Sequence, residues 1–203
     1  MLKKANVAVL VSGGGTNLQA IIDATGSGII KSADIRVVIA SNHSAYALTR
    51  AKNNGIAAEV VCRKEMPSQE EFEAGIVALL DKYDIDLIVL AGFMCILSEN
   101  FTKRYPERII NVHPSLIPSF CGKGYYGLKV HEAALEYGVK VTGATVHFVN
   151  EIPDGGKIIL QRAVDIEEGD TPETLQRRVM ENAEWHILPQ AVETVSKKIS
   201  ELK

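Results

Sequence analysis

Up to residue 112 the hydrophobic positions alternate between short apolar runs and longer stretches with an apolar residue every three or four places. The runs at 5–11, 35–40 and 57–61 have the length and composition of strands, and those at 87–91 and 109–112 are apolar enough for strands covered on both faces. Between them, 17–23, 45–53 and 68–82 carry helical spacing. In the last of these, Ser68 and Glu71 stand in capping-box register ahead of Phe72, Ile76, Leu79 and Leu80 on one face. Gly55 stands where a helix C-cap would. Strands that alternate with helices in this way predict a right-handed, largely parallel α/β sheet.

The pattern changes after Pro114. A loop rich in Pro, Gly and aromatics (114–127) precedes a helix at 128–137, followed by two β-rich stretches at 139–149 and 157–164. Gly138 and the Asp154-Gly155-Gly156 turn connect these closely enough for antiparallel pairing. A final long helix opens near Thr171. Either Thr171 caps it with Pro172 in the first position, or Asp170 caps it with Glu173 completing the pair. Pro189 is expected to bend or divide that helix.

Composition narrows the class. A chain of 203 residues that is 46% hydrophobic can bury one substantial core, so 1–203 reads as a single domain. With 22 Lys+Arg against 25 Asp+Glu and no long run of either sign, nothing suggests a nucleic-acid or membrane surface, and a small-molecule partner is expected. Cys62, Cys95 and Cys121 are scattered without CxxC spacing, which favours a reducing, cytoplasmic setting over a disulfide framework or zinc ribbon. Met1 to Lys4 lead straight into a strand-like run, with neither the apolar core nor the cleavage site of a secretory signal.

Two places carry candidate chemistry. Ser12-Gly13-Gly14-Gly15-Thr16-Asn17 lies between the first strand and first helix, where backbone N–H groups favour an anion such as a phosphate monoester. It is not a dinucleotide fingerprint, because the third glycine position is Leu18, and no Gly-Lys-Ser/Thr follows as a Walker loop requires. The alternative is a tight turn that merely needs glycine dihedrals. Asn111 and His113, two apart at the end of a buried strand, should face the same side, at the edge where open α/β sheets bind ligands. An amide can donate to an oxyanion, and a histidine can donate or shuttle a proton near neutral pH. Asp154 sits in a Gly-rich turn whose spacing alone does not bring it to His113.

Residues 11–18, Ala91-Gly92-Phe93-Met94, residues 111–118 and His147-Phe148-Val149 with Asp154-Gly155-Gly156 together closely resemble the phosphoribosylglycinamide formyltransferase family, in that family's order and over nearly the whole chain. The resemblance implies a Rossmann-like formyltransferase fold, a central mostly parallel sheet flanked by helices with an antiparallel C-terminal part. It implies 10-formyltetrahydrofolate as cosubstrate, glycinamide ribonucleotide as acceptor in purine biosynthesis, and no metal. By the same resemblance Asn111, His113 and Asp154 are catalytic, Asp154 holding His113 and favouring its imidazolium. Gly15, Thr16, Asn17 and Glu184 would bind the ribonucleotide. Gln69, Met94, Cys95, Ile96, Leu97, Asn111, His147 and the stretch Asn150, Glu151, Ile152, Pro153 and Asp154 would bind folate.

Four features depart from familiar bacterial members. Gln69 stands where some carry an arginine, Cys95 replaces an arginine, 121–127 is longer than in some relatives, and Glu184-Trp185-His186 replaces a more usual Glu-His pair. Cys121 is also a conceivable nucleophile beside His113, although the family gives it no role. His43, His131 and His186 lack metal-ligand spacing and read as surface or packing residues.

Overall fold

The computed structural model describes residues 3–203; Met1 and Leu2, part of the N-terminal reading above, lie outside the described residues. Its centre is one sheet of seven strands: β1 (Ala5–Val11), β2 (Ala33–Ala40), β3 (Ala57–Val60), β4 (Leu87–Leu90), β5 (Ile109–His113), β6 (Val141–Phe148) and β7 (Ile158–Asp165). They lie in the order β3-β2-β1-β4-β5-β6-β7. The first five pair in parallel, while β6 runs antiparallel to both β5 and β7. Strand order reverses between β1 and β4, so the crevice beyond their C-terminal ends is the topological switch point of the sheet.

Alternation along the strands feeds two cores. Val7, Val9 and Val11 face one side with Leu18 and Ile21 of α1 (Thr16–Gly26) and Ile187, Leu188 and Val192 of a long C-terminal helix. Ala8 and Leu10 face the other side, with Phe72, Ile76 and Leu80 of a helix following β3. Both faces of β1 are therefore buried from Val7 onward, which explains its apolar sequence after Asn6.

The other helices are α2 (Ala47–Asn53), α3 (Gln69–Lys82), α4 (Glu99–Arg104), α5 (Leu128–Tyr137), α6 (Pro172–Val179) and α7 (Trp185–Glu201). Ser68 caps α3 as its spacing predicts, accepting from the Glu71 N–H. At α6 the cap is Thr171, whose capping-box partner is Thr174 rather than an acidic side chain.

Two features differ from the sequence reading. α4 is only six residues long, too short to show a helical period, and its clearest local mark is the Ser98 cap. The last helix is also divided one turn before Pro189. A π turn at Met180–Glu184 separates α6 from α7, and α7 continues through Pro189. Because that turn already breaks the regular hydrogen-bond ladder, the missing N–H of Pro189, early in α7, forces no second break.

Candidate active site

The crevice at the switch point holds a cavity of about 770 Å³, within the usual size range of small-molecule sites. Its lining brings together Gly13, Gly14, Gly15, Thr16 and Asn17, the turn after β4, Asn111 and His113 of β5, the 122–127 segment, Asp154 and Glu184.

At one end the glycine turn presents the start of α1. Gly15, in left-handed conformation (φ 73°), is the N-cap residue and supplies no side-chain cap, so the first-turn N–H groups point outward as free donors. Ser12 anchors the turn: its hydroxyl meets Ser41 Oγ at 2.7 Å and accepts the Met94 N–H at 2.9 Å. The carbonyls of Gly13 and Gly14 accept from Ala47 N–H (3.2 Å) and Arg50 Nε–H (2.8 Å), which leaves the amide side of the turn facing the cavity.

Glycine serves different ends at neighbouring positions. A Cβ on Gly15 would meet Ala47 Cβ at 2.7 Å and Cα at 2.9 Å, whereas one on Gly14 would have nothing within 4 Å. Gly14→Val should therefore leave the melting temperature nearly unchanged and weaken ribonucleotide binding more than folate binding. Gly15→Val should lower thermal stability as well, because α2 must shift. Equal loss of both ligands in a fully stable Gly14→Val, measured by calorimetric titration, would refute a phosphate role for the turn.

Behind the turn, Asn17 Nδ2 donates to Glu184 Oε2 at 2.6 Å, and Asn17 Oδ1 is buried without a donor. The π turn carries Glu184 into this position at the end of a helix otherwise packed on the sheet. Burial raises the Glu184 carboxyl to about 6, only partly opposed by Asn17.

At the other end, β5 and β6 pair with Asn111 opposite His147. The His147 Nδ1–H donates to the Phe148 carbonyl at 2.8 Å, so in the neutral ring Nε2 accepts from Asn111 Nδ2 at 3.3 Å. Asp154 reaches both histidines across the hairpin: Oδ2 lies 3.5 Å from His113 Nδ1, and Oδ1 lies 3.6 Å from His147 Nε2. Asp154 is itself in left-handed conformation (φ 56°), and Gly156 packs so closely on the Phe148 carbonyl that a Cβ there would overlap it. The Gly-rich turn thus folds back tightly enough to point a carboxylate at β5.

The 120–122 segment closes the circuit. The Phe120 carbonyl accepts the His113 Nε2–H at 2.9 Å, and the Gly122 N–H donates to Asp154 Oδ2 at 2.8 Å. Burial pushes Asp154 up, but His147, His113 and the Gly122 N–H together more than offset it, leaving a lowered pKa and an ionised carboxylate. For His113 the balance runs against the sequence expectation of a favoured imidazolium. Burial lowers its pKa below 6.5, and the opposing pull of Asp154 and the Phe120 carbonyl does not restore it. Asp154 acts in the expected direction, but the ring sits too deep for it to prevail.

The proposed folate residues divide by position. Met94, Cys95, Ile96, Pro153 and Asp154 line the cavity, and His147 lies just behind Asn111 and Asp154. Leu97 is in the core beneath, and Asn150, Glu151 and Ile152 form the exposed outer part of the hairpin turn, with only Asn150 half-buried. Gln69 Nε2 donates to Glu73 Oε1 and to the Ile96 carbonyl, bracing the 94–97 segment from outside. The thiol of Cys121 is pushed up by burial and by Asp154, which disfavours the thiolate a nucleophile needs.

His43 pairs with Glu65 at the surface. His131, read from sequence as surface or packing, is fully buried against the cavity with neither ring nitrogen partnered. Burial lowers its pKa to about 4. Its apolar face on α5 gives no sign of this, because Val130, Ala134 and His131 are buried alike. Lys123, Gln176 and Met180 also reach the cavity from segments with no motif of their own.

Known proteins share this arrangement. A family model described as formyl transferase matches residues 5–192. The chain is 46% identical over 194 residues to the human trifunctional purine biosynthetic protein adenosine-3, covering 96% of this chain and 18% of that protein's length. It is 45% identical over 183 residues to phosphoribosylglycinamide formyltransferase of Haemophilus influenzae, covering 90% of this chain and 83% of that one. The crystal structure of glycinamide ribonucleotide transformylase 1 from Symbiobacterium toebii superposes with a TM-score of 0.89 at 42% identity, covering 96% and 89% of the two chains. Likeness of this extent in both sequence and fold makes the chain a member of the formyl transferase family, alongside phosphoribosylglycinamide formyltransferases.

Proposed function

We propose that this chain transfers the formyl group of 10-formyltetrahydrofolate to the amine of N1-(5-phosphoribosyl)glycinamide, the acceptor for which its Haemophilus relative is named. One observation carries the reading: a single cavity joins the uncapped start of α1, suited to a phosphate, to the Asn111–His113–Asp154 group, suited to acyl transfer. Gly15, Thr16 and Asn17 hold the phosphate, and Glu184 accepts from a hydroxyl of the ribonucleotide. Met94, Cys95, Ile96 and the 150–154 turn hold the folate.

In this mechanism the glycinamide nitrogen attacks the formyl carbon, and negative charge gathers on the formyl oxygen. The Asn111 amide and the His113 Nε2–H donate to that oxygen, which takes the place of the Phe120 carbonyl at His113. Asp154, ionised beside His113 Nδ1, holds the neutral ring in place and stabilises the partial positive charge it takes on as the Nε2–H polarises towards the oxygen. When the intermediate collapses, the new C–N bond stays, the bond from the formyl carbon to the folate nitrogen breaks, and the amine proton passes through water to that nitrogen.

The test is turnover of 10-formyltetrahydrofolate with and without glycinamide ribonucleotide, following both deformylated folate and formylated product. The expected result is turnover that requires the acceptor and matches product one for one. Rapid release of formate without acceptor would instead make the chain a hydrolase.

A further inference from the structure

Among the described residues lining the cavity, two carry carboxylates, Asp154 and Glu184, and only Lys123 carries an ammonium group. Arg50, which contacts the glycine turn from outside the cavity lining, has its guanidinium engaged with the Gly14 carbonyl and Gln19 Oε1. The turn itself therefore offers an incoming phosphate backbone N–H groups and the partial charge of one helix start, equivalent to roughly half a positive charge. A phosphate monoester carries nearly two negative charges, and in this cavity it faces two carboxylates. Lys123 belongs to the 121–127 segment, whose Gly122 is fixed through its N–H to Asp154. The ammonium thus extends from a backbone anchored at the rim of the same cavity.

We infer that Lys123 is a specificity-determining residue that pairs with the phosphate of the bound ribonucleotide, completing from the 121–127 segment a site whose other half is the glycine turn. The inference rests on the transferase reading for the identity of the substrate. The contact itself is a charge-assisted hydrogen bond from an ammonium to a phosphate oxygen.

Lys123→Gln should raise the KM for glycinamide ribonucleotide roughly tenfold, about what losing one charge-assisted contact at a partly solvated site costs. The KM for 10-formyltetrahydrofolate and kcat should change less than about twofold by the same reasoning, the melting temperature should stay essentially unchanged, and Lys123→Arg should recover most of the lost affinity. Calorimetric titration with ribose 5-phosphate separates this contact from the transferase reading, because it needs no turnover. Affinity for ribose 5-phosphate should fall in Lys123→Gln and return in Lys123→Arg, even if the acceptor proves to be another phosphorylated amine. Unchanged ribose 5-phosphate affinity in Lys123→Gln overturns the inference, as does a KM increase confined to the folate.

Discussion

Replacing His113 by Ala should lower kcat by roughly 10²–10⁴, the range for losing a positioned acid, base or donor, with much smaller changes in ligand binding. Asp154→Asn should also be slow. Because Asp154 meets His113 Nδ1 directly and reaches the reacting oxygen otherwise only at one remove, through His147 and Asn111, adding Asp154→Asn to His113→Ala should cost less than it does in the wild type. Fully multiplicative losses in a folded double variant would separate the two residues and end the mechanism.

Burial sets the resting state of His113 below the ordinary histidine value, while Asp154 pulls the other way. The His113 resonance in an NMR titration should therefore have a midpoint below 6.5 in the wild type, and lower still in Asp154→Asn. The sign for stability follows from the depressed folded pKa. The contribution of neutral, buried His113 is present above the unfolded value and lost as pH falls through the folded one. His113→Ala should consequently lose less stability than the wild type on acidification below pH 6.5. A midpoint above 6.5 would mean that Asp154 outweighs burial.

Glu184→Gln should trade binding for stability. Burial raises this carboxyl from 4.5 to about 6, so folding favours its protonated form. The associated stability is full below the unfolded value and disappears as pH rises through about 6. At pH 7.5 a glutamine, neutral at every pH, should recover up to about 2 kcal/mol, or about 5 °C in Tm for a chain of this size. The gain should shrink as pH falls through about 6 and vanish below the unfolded value of 4.5. At the same time the KM for the ribonucleotide should rise by an order of magnitude or more, since a charged acceptor for a substrate hydroxyl becomes a neutral one. A variant no more stable than the wild type at pH 7.5 would show that Glu184 is already neutral or solvated there.

The local parts of this protein are written in its sequence because their causes are local. Five short, mostly apolar runs specify five parallel strands, and the one without any polar residue, 87–91, is β4, buried on both faces at the centre of the sheet. Ser68 and Thr171 mark helix starts because a cap acts over three residues. The glycine turn and the Asn111/His113 pair were legible for the same reason: one sits at a strand–helix junction, and the other shares a strand face at a spacing of two.

Long-range approach was decided only in the folded chain. Asp154 meets His113 because β6 and β7 pair antiparallel with a register shift at Val146/His147 and the Gly156 backbone packs against Phe148, a geometry that no spacing between residues 113 and 154 encodes. The break in the last helix moved from Pro189 to the π turn, which puts Glu184 against Asn17, because packing across 167 residues overrides the local signal of one proline. The protonation state of His113 belongs to the same class. Sequence supplies the neighbouring acid, but the depth of burial that outweighs it depends on the whole of the structure closing over the ring.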